Sequence, residues 1–155
     1  MLVGIDIGGT KCAVCCGKYS KSGVEIVDKI KFPTEKGMKP EAVMKLMAEN
    51  IRKLKIDKID AIGISCGSPL DSKKGVILSP PNLIGWDNVE IVKYFSHEFG
   101  VPTMLQNDAN ACALAEWQFG AAKGYRNVVF LTFGTGMGAG LILDTEKGFP
   151  VRCIH

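Results

Sequence analysis

The run Leu2-Val3-Gly4-Ile5-Asp6-Ile7-Gly8-Gly9-Thr10-Lys11 constrains this chain more than any other segment. A short apolar strand carries one carboxylate, Asp6, and ends in two glycines, a hydroxyl and a cation. Glycine lets the backbone turn tightly and come close to an anion. Consecutive N–H groups in such a turn can form an anion-binding nest. Thr10 adds a donor and Lys11 a charge, and a carboxylate such as Asp6 beneath the loop suits Mg²⁺, directly or through water. A second strand pattern, Cys12–Tyr19, follows at once, so the loop joins two strands. A Walker-type phosphate loop leads from strand to helix and needs GxxxxGK[ST], a spacing this segment lacks. An ordinary hairpin turn stays open as the bland alternative.

A second glycine cluster lies far along the chain. Val128–Phe133 reads as a buried strand, Gly134-Thr135-Gly136-Met137-Gly138-Ala139-Gly140 as a glycine turn, and Leu141–Leu143 as a further strand. Gly134 to Ala139 matches GxGxxA, but the dinucleotide fingerprint needs a helix next and an acidic residue about 20 positions later. An apolar strand follows instead, which argues against that reading. Between the clusters, the strand beginning near Val101 ends at Gln106 or Asn107. Ala, Leu and Glu then favour a helix, stopped near Gly120. Asp108 stands at its start. Asn and Asp are preferred helix N-caps, which is the bland account of Asp108. The same place suits a catalytic base, because a helix N-terminus favours the ionised carboxylate and strand ends of α/β sheets face the ligand crevice.

The rest reads as ordinary α/β material. Residues 2–7, 12–19 and 24–33 form three strands of an antiparallel meander, with a turn at Ser20–Gly23. After Pro40 a helix carries Val43, Leu46, Met47, Ile51 and Leu54 on one stripe, a period of 3.6. Met44 and Met47 are thus core or near-core. Asp60–Cys66 is a buried strand, Gly67–Asp71 a loop, Pro80-Pro81-Asn82 irregular, and Val89–Phe99 a second amphipathic helix. Trp86 is assigned to the core in preference to a crevice lining. With 155 residues, 46% of them hydrophobic and a net charge of +3, the chain can bury one core and carries no basic patch of the nucleic-acid-binding kind. No apolar run is long enough for a membrane span, and no secretory leader precedes the first strand. The six cysteines then read as reduced thiols of a cytoplasmic protein. Cys12 and Cys15 make one C-x-x-C, but in a strand they point to opposite faces. Cys12, Cys15, Cys66 and Cys112 are assigned to packing. His97 and His155 lack ligand spacing, and His97 is read as a surface residue.

Taken in order, these elements resemble the N-terminal half of the ROK family (repressors, open reading frames and sugar kinases). Asp6–Lys11 is similar to the family's first phosphate loop, and Leu131–Gly140 to its second. Asn107-Asp108 is similar to the sugar-binding Asn and the catalytic Asp. Pro81-Asn82-Leu83-Ile84-Gly85-Trp86 resembles a sugar-side loop, preceded here by Gly67-Ser68-Pro69-Leu70, with Leu70 where glycine is common. The resemblance runs from residue 2 to about Asp144. It implies an α/β, actin-like (ribonuclease-H-like) nucleotidase fold: a mixed-sheet first domain over residues 1–108 and the start of a second over 109–155.

The activity implied is ATP-dependent phosphorylation of a hexose or N-acyl-hexosamine hydroxyl. By the same resemblance, Asp108 would be the base. Asp6, Gly8, Gly9, Thr10, Lys11, Gly134, Thr135, Gly136 and Gly138 would hold nucleotide phosphates. Asn82 and Asn107 would hold sugar, and Asp6 would hold Mg²⁺. The partners expected are sugar and ATP, not nucleic acid or membrane, with a homodimer as a further option. The family's Glu-x-x-Gly-His segment, its zinc module and most of its adenosine pocket belong to a second half that these residues do not include. Residues 145–155 do not read as the family's continuation, so a truncated chain is expected. Two rival readings are a ROK transcriptional regulator, which would need a helix-turn-helix before residue 2, and a non-catalytic fragment.

Overall fold

The computed structural model describes residues 1–20, 23–34, 37–133, 137–143 and 151–152. They divide into two compact units, Met1–Gln106 and Asn107–His155. The first holds β1 (Leu2–Ile7), β2 (Lys11–Ser20), β3 (Gly23–Pro33), α1 (Pro40–Lys53), β4 (Ala61–Cys66), β5 (Leu70–Asp71), β6 (Val76–Ile77), α2 (Ile91–Phe99) and most of β7 (Thr103–Asn107). Five strands make one sheet in the order β3-β2-β1-β4-β7. The β1–β2 and β2–β3 pairs are antiparallel, and β1–β4 is parallel. The sheet is therefore mixed, and its first three strands form the expected meander.

Register builds the core. Val3 lies between Cys16 and Ile62, Ile5 between Val14 and Ile64, and Ile7 between Cys12 and Cys66. None of these nine side chains is more than 4% exposed. Side chains alternate across a strand, so Leu2, Gly4 and Asp6 turn to the other face. There Asp6 sits opposite Ala13 and Ser65 and is exposed. Val43, Met44, Met47, Ala48 and Ile51 of α1 join the buried cluster, as do Ile91 and Phe95 of α2. Pro40 opens α1 at its first turn, and Arg52 and Lys53 stand in its last turn, where cations complement the helix dipole. Trp86, 2% exposed, belongs to the same cluster.

Several boundaries move. The second helix starts at Ile91, two residues later than its apolar pattern suggests. The loop expected over 67–71 contains β5, which pairs with β6 as a small hairpin. His97 is exposed, as expected. Cys12, Cys16 and Cys66 are buried, but Cys15 is half-buried and Cys112 is exposed. Packing therefore does not explain Cys112, which lies on the outward side of its helix. The turn residues Lys21 and Ser22 lie outside the described residues.

The second unit holds α3 (Asp108–Phe119), β8 (Val128–Phe133), β9 (Met137–Ile142) and β10 (Val151–Arg152), with sheet order β10-β9-β8 and antiparallel pairing. The expected glycine turn over 134–140 is shorter than read from sequence. β9 begins at Met137, so Gly138 and Gly140 lie inside a strand. Their lack of a side chain answers to α3 at Gly140 and chiefly to β8 at Gly138. A Cβ on Gly140 would lie 2.7 Å from the Ala113 Cβ, and one on Gly138 would lie 2.9 Å from the Thr132 Cγ2 and 3.4 Å from the Ala109 Cβ. Among the described residues, no helix is long and apolar enough to cross a membrane.

Two outcomes follow for the first unit. Trp86→Ala should lower its unfolding free energy by about 3–5 kcal/mol, the usual cost of emptying a large aromatic site. Urea unfolding measures this, and a loss below about 1 kcal/mol would remove the ring from the core. Burial pushes the Cys12 and Cys15 thiols above their ordinary value of 9.0. A raised folded-state value means that the neutral form is the one the fold favours, so this contribution is complete below pH 9 and is lost as pH rises further. Stability measured from pH 7 to 10.5 should fall less in Cys12→Ala/Cys15→Ala than in the parent chain.

Candidate functional site

The first glycine loop is held from behind. β1 ends at Ile7 and β2 starts at Lys11, which leaves Gly8, Gly9 and Thr10 to make the turn. The Gly8 N–H donates to the Lys11 carbonyl at 3.2 Å, and the Thr34 N–H donates to the Thr10 carbonyl at 3.0 Å. The Thr34 hydroxyl donates to the Gly8 carbonyl at 3.4 Å, and the Cys12 Sγ lies 3.2 Å from the same hydroxyl. Among the described residues, nothing accepts from the N–H of Gly9 or of Thr10. Thr10 and Lys11 are exposed. The loop thus offers two open donors and a cation, the features of an anion nest.

Gly9 also brings a second expected site residue into place. A Cβ on Gly9 would collide with the Asn82 carbonyl oxygen and lie 2.9 Å from the Asn82 Cβ. Only glycine permits this approach. Asn82 is exposed on a turn that folds back on itself: Leu83 N–H donates to the Pro80 carbonyl at 2.9 Å, and Trp86 N–H to the Leu83 carbonyl at 3.2 Å. Burial of Leu83 and Trp86 at 5% and 2% exposure anchors that turn. Residues some 70 positions apart therefore meet, and the expected phosphate loop touches the expected sugar-side loop within one unit.

In the second unit the helix cap is Asn107, not Asp108. The Asn107 side-chain oxygen accepts from the Asn110 N–H at 3.2 Å. Asp108 is the first helical residue. Its Oδ1 accepts from the Asn107 Nδ2 at 3.0 Å and from the Ala109 N–H at 2.8 Å. Its Oδ2 has no partner among the described residues, and the side chain is exposed. The bland explanation of Asp108 is thereby taken by its neighbour. Asn110, which the sequence reading passed over, is 2% exposed with an unpartnered Oδ1 among the described residues. Gly138 lies in β9, whereas Gly134, Thr135, Gly136 and His155 lie outside the described residues.

No group of three or more His, Cys, Asp or Glu side chains converges among the described residues. Asp6 stands alone, exposed, one strand position before the loop. A single carboxylate fits Mg²⁺, which keeps several waters and takes its remaining ligands from substrate phosphates.

Residues 2–148 match the model of the ROK family. The chain belongs to the ROK family. Over 147 residues it is 34% identical to a glucokinase of Streptomyces coelicolor, covering 94% of this chain and 44% of that protein. It is 36% identical over 143 residues to a glucokinase of Thermotoga maritima, covering 91% and 44%. Among solved structures, a ROK family glucokinase from Streptomyces griseus in complex with glucose and AMPPNP superposes with a TM-score of 0.79 at 29% identity, covering 98% of this chain and 48% of that one. The mixed sheet and its helices are thus part of the actin-like ATPase fold of ROK sugar kinases. The chain spans less than half the length of the curated relatives it matches.

Substituting Gly9→Ala tests the contact between the two loops. The added methyl must displace the Asn82 turn, and overpacking of this kind costs about 1–3 kcal/mol. Amide spectra should shift at both loops together. Unmoved Asn82 signals with unchanged stability would mean that the loops do not touch.

Proposed function

We propose that this chain carries the first phosphate-binding loop and the proton acceptor of an ATP-dependent sugar kinase acting on a hexose or N-acyl-hexosamine hydroxyl. The observation that carries the reading is the Gly9–Asn82 approach, because it joins a loop with open N–H donors to a loop proposed to hold sugar. The glucokinase relatives support the same class of reaction.

In this reading Gly8, Gly9, Thr10 and Lys11 hold nucleotide phosphates, and Gly134, Thr135, Gly136 and Gly138 contribute the second phosphate-binding segment. Asp6 would hold Mg²⁺, directly or through water, and the ion would neutralise charge on the phosphates. Asn82 and Asn107 hydrogen-bond sugar hydroxyls. Asp108 takes the proton from the attacking hydroxyl while its oxygen bonds to the γ-phosphorus and ADP leaves. Phosphoryl transfer needs mainly positioning and charge stabilisation from the protein, and the base adds about 10²–10⁴ in rate. Two N–H donors on Oδ1 fix the Asp108 carboxylate and leave Oδ2 to accept the proton.

Residues 1–155 alone are expected to turn over weakly or not at all. One face of the β8–β9 pair exposes Val129, Leu131, Phe133 and Met137 at 49–74%, an apolar surface of the kind that marks an interaction site. The test has two parts. Titrating this chain with Mg·ATP should shift the Gly8–Lys11 amide signals, and absence of any shift would overturn the phosphate-loop reading. In a full-length chain that joins residues 1–143 to the C-terminal part of a relative, Asp108→Asn should cut sugar-dependent ADP release about 10²–10⁴-fold while ATP binding persists. Undiminished turnover would remove Asp108 from the base role.

A further inference from the structure

We propose that Thr34 is the positioning residue of the first glycine loop, an inference that rests on the phosphate-binding role proposed for residues 8–11. A loop that grips a polyphosphate must present N–H groups and turn its carbonyl oxygens away, since those lone pairs repel the anion. Two carbonyls flank the open donors of Gly9 and Thr10. Thr34 takes both: its N–H binds the Thr10 carbonyl at 3.0 Å, and its hydroxyl binds the Gly8 carbonyl at 3.4 Å.

Thr34, Cys12 and the Gly8 carbonyl form a small circuit. A hydroxyl carries one proton, and the Gly8 carbonyl can only accept. The Thr34 hydroxyl, at 3.4 Å, is its nearer donor; the Cys12 Sγ lies 3.9 Å from the same carbonyl and 3.2 Å from the Thr34 hydroxyl. Cys12 is 1% exposed and fixed in β2 opposite Ile7, so the circuit ties the loop to the rigid core face. Thr34 itself directly follows Pro33, the last residue of β3. The third strand thus reaches across β2 to hold a turn between the first two. Thr34 touches no reacting atom in this scheme and acts only through the loop.

Three variants separate the hydroxyl from the rest of the side chain. Thr34→Val keeps the shape and the backbone N–H but removes the hydroxyl, Thr34→Ser keeps the hydroxyl, and Cys12→Ala removes the thiol. With Mg·ATP as the probe, followed by the Gly8–Lys11 amide signals, Thr34→Val should bind about tenfold more weakly, in line with one lost hydrogen bond, and Thr34→Ser should match the parent. Cys12→Ala should fall between them. Equal affinity in parent and Thr34→Val would overturn the inference. So would a Thr34→Ser that binds as poorly as Thr34→Val, because the methyl and not the hydroxyl would then matter. A ligand-free readout keeps the test separate from the nucleotide reading: exchange of the Gly8 amide should quicken about tenfold in Thr34→Val and recover in Thr34→Ser. A parent chain that ignores Mg·ATP but shows this exchange pattern would end the phosphate reading and leave Thr34 as the clamp of the turn. Unchanged exchange in Thr34→Val would sink the clamp itself.

Discussion

The register of the three central strands is the constraint on which the first unit depends. Ile5 must face Val14 on one side and Ile64 on the other. A slip of one residue would turn every buried side chain to the opposite face. It would also carry Asp6 into the core and expose Ile5. Burial of nine apolar and thiol side chains therefore does more than stabilise the sheet. It sets which face the carboxylate occupies, and it brings Ile7 and Lys11 to the same end, where the chain must turn in three residues. The glycine loop is located by the core beneath it.

Much of this was legible in the chain. The short apolar run Leu2–Ile7 and the 3.6 period after Pro40 both report burial, and burial is what decides those elements. Met47 was assigned to the core on the helical period, Trp86 in preference to a crevice lining, and both lie there. The matched family and the glucokinase relatives agree with the resemblance drawn from the ordered motifs. What failed did so where one residue type serves two physical needs. Glycine marks a turn or a close packing contact, and nothing local tells them apart. Gly138 and Gly140 were read as turn residues, but they sit in β9, where Thr132 crowds Gly138 and Ala109 and Ala113 crowd Gly140. Cys112 was assigned to packing in preference to metal binding, yet it is exposed. The contribution of Thr34 depends on a strand crossing that no short-range pattern announces.

Gly9 and Gly140 make a useful pair for this reason. Each is excluded from bearing a Cβ by backbone from elsewhere in its own unit: Asn82 for the first, Ala109 for the second. At Gly140 the neighbour is a helix, and the glycine serves packing. At Gly9 the neighbour is an exposed turn, and the N–H groups at hand are open. A packing contact closes a surface, whereas this one leaves donors facing outward beside a lysine. The difference in what surrounds the two glycines, and not the glycines themselves, separates a loop with open donors from a fitted joint.

The cap of α3 carries a similar lesson for the carboxylate. Asn and Asp compete for the cap position on nearly equal terms. Had Asp108 capped the helix, its oxygen would have been consumed by the Asn110 N–H. Asn107 accepts that bond instead and at the same time donates to Asp108. One carboxamide thus satisfies the helix and orients the acid. A neutral cap also leaves the dipole of the first turn to act on Asp108, where a negative charge is favoured. Any sugar hydroxyl that Asn107 holds would lie beside the group proposed to take its proton. Recognition and proton transfer would then share one hydrogen-bonded pair, so a wrong isomer that misplaces its hydroxyl at Asn107 would lose the base as well as the contact.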